Sequence, residues 1–366
     1  MRLQAPRNQL LPVLQHVIGV VERRQTLPIL GHVLFDVGAD SATVTATDLE
    51  VELQAHTSLQ PQEPGRVTLP ARKLLDLVRS LPEHSEVDLR HDSGQVILRS
   101  GRSRFSLAPL PAEDFPALDE IAVQSEIRLP AHNLRQLLGR THFAMAQQDV
   151  RYYLNGLLLE TSSKGVVAVA TDGHRLALCE LRGSDTATPE EQVIVPRKGV
   201  QELLRLLGDM EFDVVVQLAG NHLRVLTPGS RFTCRLIDGR FPDYRRVVPA
   251  ESDDPALVDR KLLREALARA AILSNEKYRG VRLRVAPDVL VITAQNPENE
   301  QAEEELGIDY AGPEMEMGFN VSYLLDALGA LEGETVRFSF YDANSSCLLR
   351  DVEDELSRYV VMPMRL

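Results

Sequence analysis

The feature that most limits how this chain can fold is an internal repeat at a spacing of about 124 residues. Leu14, Leu138 and Leu262 follow this spacing, each inside a segment with helical apolar periodicity. Three further segments, each holding an alanine in the same place, recur at the same interval: 44–48, 169–172 and 292–296. The 366 residues therefore read as three copies of one unit. Duplication of a purely structural unit, with no functional geometry, would give the same spacing.

A second helical element recurs within each copy. Stretches opening at 69–73 and 195–198, and more weakly at Asn320, carry apolar residues at i, i+3, i+4 and i+7, one stripe of an amphipathic helix. Between the helices, alternating runs such as 95–99 and 214–218 predict antiparallel strands. The prediction is an α+β fold in which each third holds two similar halves, each a helix with an antiparallel sheet. Predicted domains are 1–121, 122–249 and 250–366.

The charge is unevenly distributed along the chain. The net charge is −13, from 40 Lys and Arg against 53 Asp and Glu, which alone argues against a nucleic-acid partner. The predicted helical segments hold sixteen basic and six acidic side chains, which leaves −23 for the remainder. These segments are 7–24, 72–80, 132–151, 197–207, 260–269 and 322–331.

Basic helices gathered on one side would present a positive surface to a negative rod such as duplex DNA. Contacts of this kind reach phosphates and carry no base-sequence information. The plainer alternative is that these Lys and Arg side chains only solvate helix faces, as most charged runs do.

Several classes of protein are excluded by composition. Cys179, Cys234 and Cys347 lie far apart with no CxxC pair, which argues against a disulfide framework or a cysteine zinc site. No apolar run reaches the roughly 18 residues needed to span a bilayer, and residues 1–7 lack the apolar core of a signal peptide. The expectation is a cytoplasmic protein with no membrane partner and no metal site.

An enzymatic interpretation centres on the segment 171–175, which contains Asp172 and His174. The first copy has Thr47 and Asp48 but no histidine, and a Thr-Asp pair that ends a strand more often forms a turn through side-chain hydrogen bonds. There is no HExxH, GxSxG, P-loop or GxGxxG motif. We expect no intrinsic catalysis and no cofactor. A repeat scaffold that binds only proteins remains an alternative.

Long stretches of the chain resemble the beta sliding clamps of bacterial DNA polymerase III. The resemblance covers essentially the whole length and is carried by residues 26–31, 47–50, 99–107, 148–156, 170–176, 238–247, 272–277 and 359–366. It implies a head-to-tail homodimer of three-domain subunits, closed around double-stranded DNA with helices lining the hole and sheets on the outside. It also implies a ring-shaped processivity factor, placed by an ATP-driven loader, that tethers the replicative polymerase and other replication and repair proteins.

The resemblance implies a set of DNA contacts. Arginine and lysine can bind phosphate, while tyrosine and glutamine can donate hydrogen bonds or stack. For Tyr152 and Tyr153, a packing pair at a strand edge is the alternative. The implied DNA-binding residues are Arg24, Arg72, Gln148, Tyr152, Tyr153, Arg197 and Lys198.

The resemblance also implies a groove that takes short linear peptides from partner proteins. An apolar groove rich in methionine and walled by proline adapts to several ligands. An ordinary final strand would also explain the apolar run 360–364. The implied groove residues are Leu154, Thr171, Gly173, His174, Arg175, Leu176, Pro242, Arg246, Val247, Tyr323, Ser346, Val360, Met362, Pro363 and Met364.

The implied dimer interface joins a basic edge of the first domain to an acidic edge of the third. Two copies can close such a heterologous contact into a ring. A solvated acidic loop is the alternative for the run 298–305. The basic side holds Lys73, Arg102, Arg104, Phe105 and Leu107, and the acidic side holds Ile272, Leu273, Glu298, Glu300, Glu303 and Glu304.

Overall fold

The computed structural model describes residues 1–21, 27–57, 60–116, 118, 121–183, 190–208 and 211–365. No helix within these ranges is both long and apolar enough to cross a bilayer. The α-helices in them are α1 (Arg7–Val17), α2 (Ala71–Ser80), α3 (Ala131–Gly139), α4 (Arg197–Leu207), α5 (Arg260–Ile272) and α6 (Val321–Ala330).

Four helices confirm the predicted segments to within three residues at either end. Their amphipathic stripes face the core, as in α2, where Leu74, Leu75 and Val78 are buried. Residues at the starts help to set their boundaries. Asp259 caps α5, because its Oδ1 accepts a hydrogen bond from the Leu262 N–H at 2.8 Å.

Two predicted helices are too long. The prediction of 7–24 is wrong because α1 ends at Val17, where Ile18, Gly19 and a pair of valines follow. Glycine and β-branched residues have low helix propensity, and Val20 is buried in the turn that replaces the helix.

The prediction of 132–151 is also wrong, since α3 ends at Gly139. Polar side chains terminate the helix by meeting its last carbonyls. The Thr141 hydroxyl donates to the Leu137 carbonyl at 2.6 Å, and His142 Nδ1 lies 3.2 Å from the Leu138 carbonyl.

The strands alternate with the helices along the chain. The first ten are β1 (Arg2–Pro6), β2 (His32–Val37), β3 (Ala42–Thr47), β4 (Val51–Thr57), β5 (Gln60–Glu63), β6 (Gly65–Pro70), β7 (Glu86–Asp92), β8 (Gln95–Ser100), β9 (Ser103–Leu107) and β10 (Ser125–Pro130). The next eight are β11 (Gly156–Ser162), β12 (Gly165–Thr171), β13 (Arg175–Arg182), β14 (Glu191–Pro196), β15 (Asp213–Ala219), β16 (His222–Thr227), β17 (Ser230–Arg235) and β18 (Ala256–Asp259). The last seven are β19 (Gly280–Ala286), β20 (Val289–Gln295), β21 (Gln301–Gly307), β22 (Met315–Asn320), β23 (Thr335–Ser339), β24 (Cys347–Asp351) and β25 (Ser357–Val361).

The fold divides into two compact units. Unit 1 contains residues 1–132 and 201–236, and unit 2 contains residues 133–200 and 237–366. Unit 1 has a five-stranded sheet, ordered β5-β1-β7-β8-β9, and an eight-stranded sheet, ordered β10-β15-β16-β17-β4-β3-β2-β6. Unit 2 has an eight-stranded sheet, ordered β14-β11-β12-β13-β25-β24-β23-β18, and a four-stranded sheet, ordered β21-β20-β19-β22.

Each eight-stranded sheet joins strands from two of the predicted domains. In unit 1, β4 pairs with β17, so that Glu52 lies opposite Thr233. In unit 2, β13 pairs with β25, so that Leu176 lies opposite Val360. All the named pairings are antiparallel, as the alternating runs predicted. The domain boundaries at 121 and 249 stay predictions.

Two glycines in hairpin turns allow a test of how closely the backbone packs there. Gly165 has a φ of +133°, and a Cβ built there would lie 1.9 Å from the Leu181 carbonyl oxygen, whereas Gly94 has a φ of +80° and open space around it. We expect Gly94→Ala to lower the free energy of unfolding by about 1 kcal/mol through backbone strain alone. Gly165→Ala should lower it by about 3 kcal/mol or more, because a carbonyl must move as well. Equal effects in a denaturant titration would contradict the close approach at Gly165.

Candidate peptide groove and nucleic-acid interface

A turn between β12 and β13 forms the centre of the candidate groove. The Thr171 hydroxyl donates to the Arg175 carbonyl at 2.6 Å and accepts from the Gly173 N–H at 3.1 Å. Asp172 Oδ1 accepts from the N–H groups of His174 and Arg175 at 2.9 and 3.0 Å. Gly173 has a φ of +89°, which favours glycine. The prediction that the Thr-Asp pair forms a turn is confirmed, and the Asp172 carboxylate is engaged in holding it.

Apolar side chains lie beneath this turn. Leu154, Leu176 and Val360 are almost fully buried in one cluster, with Phe241 and Tyr244 packed over them. The resemblance implied these three as groove residues, and the structure buries their side chains, so they can form the floor of the candidate groove. A buried apolar floor holds the shape of the groove, while the exposed residues above it are free for contacts.

Several of the other predicted groove residues are exposed. Val247 and Met362 are 37% and 38% exposed, and Pro242, Arg246 and His174 are also exposed. The Met362 N–H donates to the His174 carbonyl at 2.9 Å, so the C-terminal segment is tied directly to the turn. The result is an apolar edge with a few polar groups, the usual composition of a site for a short peptide.

Arg175 is fixed by several partners at once. Its Nε donates to Asp172 at 3.1 Å and its Nη2 donates to the Phe143 carbonyl at 2.7 Å. The guanidinium also pairs with Asp326 and lies 4.5 Å from the centroid of the Tyr323 ring. Sequence reasoning missed Phe143 and Asp326, because no local pattern predicts that residues 143, 175 and 326 meet.

The remaining predicted groove residues are Ser346, before β24, and two residues of the C-terminal segment. The Met364 N–H donates to the Gly318 carbonyl at 2.8 Å. Pro363 and Met364 line a cavity of about 370 Å³ together with Arg282 and Glu316. Ser346 is half-buried directly before β24.

The loop that precedes β11 carries three predicted DNA contacts. Gln148 is exposed with a φ of +54°, and the Asn155 side chain bonds the Asp149 backbone in both directions at 3.0 Å. Arg151 pairs with the Asp149 carboxylate at 2.8 Å and donates to the Asp172 carbonyl at 3.1 Å. The predicted DNA loop is thus bonded directly to the groove turn.

Tyr152 and Tyr153 differ in their surroundings. Their rings meet edge to face with centroids 5.8 Å apart. Tyr152 is 56% exposed, while Tyr153 packs against the apolar floor of the groove. The packing interpretation therefore fits Tyr153, whereas the Tyr152 ring is exposed and could contact DNA.

Basic residues occupy the first turns of α2 and α4. Positive charge there opposes the helix macrodipole, so these residues do not serve helix stability. Arg72 Nη2 donates to the Val21 carbonyl at 2.7 Å in unit 1, and Arg197 Nη1 donates to the Met145 carbonyl at 3.2 Å in unit 2. Burial, and then the nearby Arg175, lower the pKa of the Arg197 guanidinium. Lys198 is half-buried beside Arg197, and the predicted contact Arg24 lies outside the described residues.

The predicted basic edge belongs to the five-stranded sheet, in which β9 is an edge strand. Arg102 and Arg104 are exposed and Phe105 is half-buried. Leu107 is only 7% exposed, which places it in the core beneath the edge. Lys73 is exposed near the start of α2.

The predicted acidic edge belongs to the four-stranded sheet, in which β21 is an edge strand. The alternative of a solvated loop over 298–305 holds only for its first part, because Glu298 and Glu300 lie in an exposed turn while residues 301–307 form a strand. Ile272 is 77% exposed at the end of α5, and Leu273 beside it is half-buried. Glu304 accepts two hydrogen bonds from Arg269, at 2.8 and 2.7 Å. The other three acidic candidates are exposed: Glu298, Glu300 and Glu303.

Helices backed by antiparallel sheets, two charged sheet edges and a buried apolar cluster beside an exposed turn are typical of the DNA-clamp class. Across the described ranges, no group of three or more His, Cys, Asp or Glu side chains is arranged to hold a metal ion.

Comparisons with known proteins agree on one family. Models of the N-terminal, central and C-terminal domains of the DNA polymerase III beta subunit match residues 1–119, 128–243 and 245–365. The chain is 52% identical to the beta sliding clamp of Pseudomonas putida KT2440 and 50% identical to that of Escherichia coli K12, over 100% of both chains in each case. It matches a crystal structure of a DnaN sliding clamp from Pseudomonas aeruginosa, bound to griselimycin, with 50% identity, a TM-score of 0.97 and full coverage of both chains.

The chain belongs to the family of DNA polymerase III beta subunits. It has the α+β clamp fold, and it is a non-catalytic processivity subunit that works with DNA and the polymerase.

The Asp149 carboxylate gives a pH test of the loop. Hydrogen bonds from Arg151 lower its pKa to about 2, so the contact is present above the ordinary carboxyl pKa and is lost as the pH falls towards 2. We expect Arg151→Gln to raise the midpoint towards about 3.9 in an NMR titration of the carboxyl carbon. Arg246→Gln, which removes an exposed arginine that pairs with Asp243, is the control and should leave the midpoint unchanged. A midpoint near 2 in the Arg151 variant would contradict the assignment.

Proposed function

We propose that two copies of this chain close head to tail into a ring that encircles duplex DNA and holds the replicative polymerase on its template. The observation that carries the proposal is the presence of two edge strands of opposite charge, β9 in unit 1 and β21 in unit 2. An edge strand offers backbone N–H and C=O groups to another strand, so such edges are natural places for two chains to join.

Charge and apolar contacts both suit this union. Arg102 and Arg104 on the first edge complement Glu298 and Glu303 on the second. Charge pairs of this kind set orientation and encounter rate more than affinity. The exposed Ile272 side chain supplies apolar area that can be buried when the edges meet. Because the two edges differ, each copy uses both, and two copies complete a closed ring.

DNA contact in the ring would be electrostatic. The arginine and lysine side chains at the starts of α2 and α4, together with Gln148 and Tyr152, reach phosphates or stack on bases without reading sequence. Contacts of this kind let a protein slide. A closed ring also needs a loader to place it on circular DNA. The protein would act in the cytoplasm, where bacterial DNA is replicated.

The groove serves a second part of the same function. Its buried floor and exposed rim suit a short linear peptide that inserts apolar side chains beside Val247 and Met362. Polymerase subunits, the clamp loader and repair proteins would compete for it. A ring on DNA with such a groove turns weak binding of a polymerase into persistent attachment, because the tether keeps the local concentration high.

The ring is tested by comparing DNA topologies. We expect the wild-type protein, once loaded, to stay on a nicked circle and to leave the same DNA after linearisation, because a ring slides off free ends. The Arg102→Glu/Arg104→Glu variant should sediment as a monomer and stay on neither form. Lys164→Glu/Arg182→Glu, at exposed positions next to the β11–β12 turn and at the end of β13, is the matched double charge reversal and should remain dimeric. Equal retention on both DNA forms would favour a scaffold without encirclement, and a dimeric edge variant would refute the interface.

The groove is tested with a charge placed on its rim. Val247→Glu should lower the affinity for a fluorescent peptide from the polymerase subunit by about tenfold or more, since an unpaired carboxylate is buried on binding. Deletion of residues 362–366 should abolish binding without unfolding the chain. Val123→Glu, at another exposed valine, should bind the peptide normally in the same anisotropy titration. Undiminished affinity in both groove variants would remove the groove from the proposal.

A further inference from the structure

The turn at the centre of the groove has a copy in unit 1, between β3 and β4. The Thr47 hydroxyl donates to the Val51 carbonyl at 3.0 Å and accepts from the Leu49 N–H at 3.1 Å. Asp48 Oδ1 accepts from the N–H groups of Glu50 and Val51 at 3.0 and 2.7 Å. Leu49 has a φ of +78°, close to the +89° of Gly173. The two turns are therefore the same structure with different side chains.

The strand that crosses beside the turn is also copied. The Arg235 N–H donates to the Glu50 carbonyl at 2.8 Å, as the Met362 N–H donates to the His174 carbonyl at 2.9 Å in unit 2. Phe115 is buried after the first copy as Phe241 is after the second. The scaffold of the groove thus occurs twice in one chain.

The floor of the copy has the opposite chemistry. In unit 2 a row across the sheet holds Thr171, Leu176, Val360 and Leu348. The matching row in unit 1 holds Thr47, Glu52, Thr233 and Arg224. Polar and charged groups have replaced three apolar side chains on the same framework.

Glu52 is unusually well buried for a charged residue. It is 4% exposed, and burial raises the pKa of its carboxyl. It accepts from Gln54 Nε2 at 3.0 Å and from the Leu118 N–H at 3.4 Å. Burying a carboxyl group costs free energy unless hydrogen bonds or charges compensate it. The position of Glu52 therefore indicates a polar network at this place in the sheet.

Two arginines beside Glu52 each have an Nε atom without an acceptor. Arg224 and Arg231 project from the neighbouring strands β16 and β17, and the Nε of each is buried with no hydrogen-bond partner in the described part of the chain. Burial, and then the proximity of Arg231, lower the pKa of Arg224. Two clustered guanidinium groups share one nearby carboxyl, so the missing components are acceptor oxygens.

We propose that this face of unit 1 is a second binding site, which takes a linear peptide through an acidic side chain that bridges Arg224 and Arg231. We name it the ionic site and define it by Glu52, Arg224, Arg231, Thr233 and Arg235. Arg235 is exposed at its margin and adds a third positive charge. Planar guanidinium groups match carboxylate oxygens in a two-point contact.

The exposed turn supplies the rest of the contact. Leu49 is 47% exposed at its tip and offers one apolar side chain to the ligand backbone. An apolar peptide gains nothing at this floor, because it would desolvate Glu52 and both arginines without replacing their hydrogen bonds. The ionic site and the groove therefore select different peptides and do not compete, and the ionic site does not depend on the proposed function of the groove.

The probe for the test is a fluorescein-labelled hexaglutamate peptide, with hexaglutamine as its uncharged match. We expect saturable binding of hexaglutamate at low ionic strength by anisotropy, with hydrogen-exchange protection confined to residues 47–55 and 223–236. Arg231→Gln should weaken binding by about fivefold or more, since the two-point contact is lost. Arg66→Gln, an exposed arginine on β6 of the same sheet, is the matched control and should bind as the wild type does.

Three results would overturn the ionic site. The first is equal affinity of the Arg231→Gln variant and the wild type for hexaglutamate. The second is an equal loss of affinity in Arg66→Gln, and the third is hydrogen-exchange protection outside residues 47–55 and 223–236. Arg231→Lys keeps the charge without the planar fork and should show an intermediate loss. Melting temperatures of all variants, measured alongside, identify any loss of binding that comes from unfolding; in that case Arg224→Gln replaces Arg231→Gln in the same comparison.

Discussion

The antiparallel pairing of β13 with β25 is the contact on which the candidate groove depends. It joins the central third of the chain to its C-terminal end and places Leu176 opposite Val360 in the floor. The same pairing carries Met362 to the His174 carbonyl, and with it the apolar side chains of the rim. Without this long-range pairing, the Thr171 turn would stand at the end of a hairpin with no wall beside it.

Local hydrogen bonds then give the turn a fixed shape. Thr171 and Asp172 satisfy the backbone groups that a tight turn would otherwise leave open, and Gly173 accepts the left-handed conformation. Arg151 extends this network to the loop that carries Gln148 and Tyr152. A peptide in the groove and DNA at the loop would thus act on neighbouring parts of one hydrogen-bonded network.

The two copies of this turn show how a repeated framework can carry different chemistry. Strand pairing and the Thr-Asp hydrogen bonds depend on the backbone and on two side chains, so both copies can keep them while other side chains differ. The floor depends on side chains that alternate along the strands, and these are free to change. Leu176 lies in the floor of the candidate groove in one copy, while Glu52 occupies the matching position in the other.

Much of the architecture could be predicted from sequence. The helices at 72–80, 197–207, 260–269 and 322–331 followed from apolar periodicity, and the strands at 95–99 and 214–218 followed from alternation, because both signals are local. The failures at α1 and α3 were also local in origin. Apolar residues continue past Val17 and Gly139, but valine, glycine and the Thr141 hydroxyl end the helices there.

The sequence by itself determined the repeat, the alternation of helices and strands, the turn-forming Thr-Asp pair and the excess of basic charge on the helical segments. Only the tertiary structure decided that Leu154, Leu176 and Val360 form a floor, that Phe143 and Asp326 hold Arg175, and that Glu52 lies buried beside two arginines. The physical reason is range. Periodicity and turn chemistry act over a few residues, whereas burial and ion pairing depend on which distant strands become neighbours in a sheet.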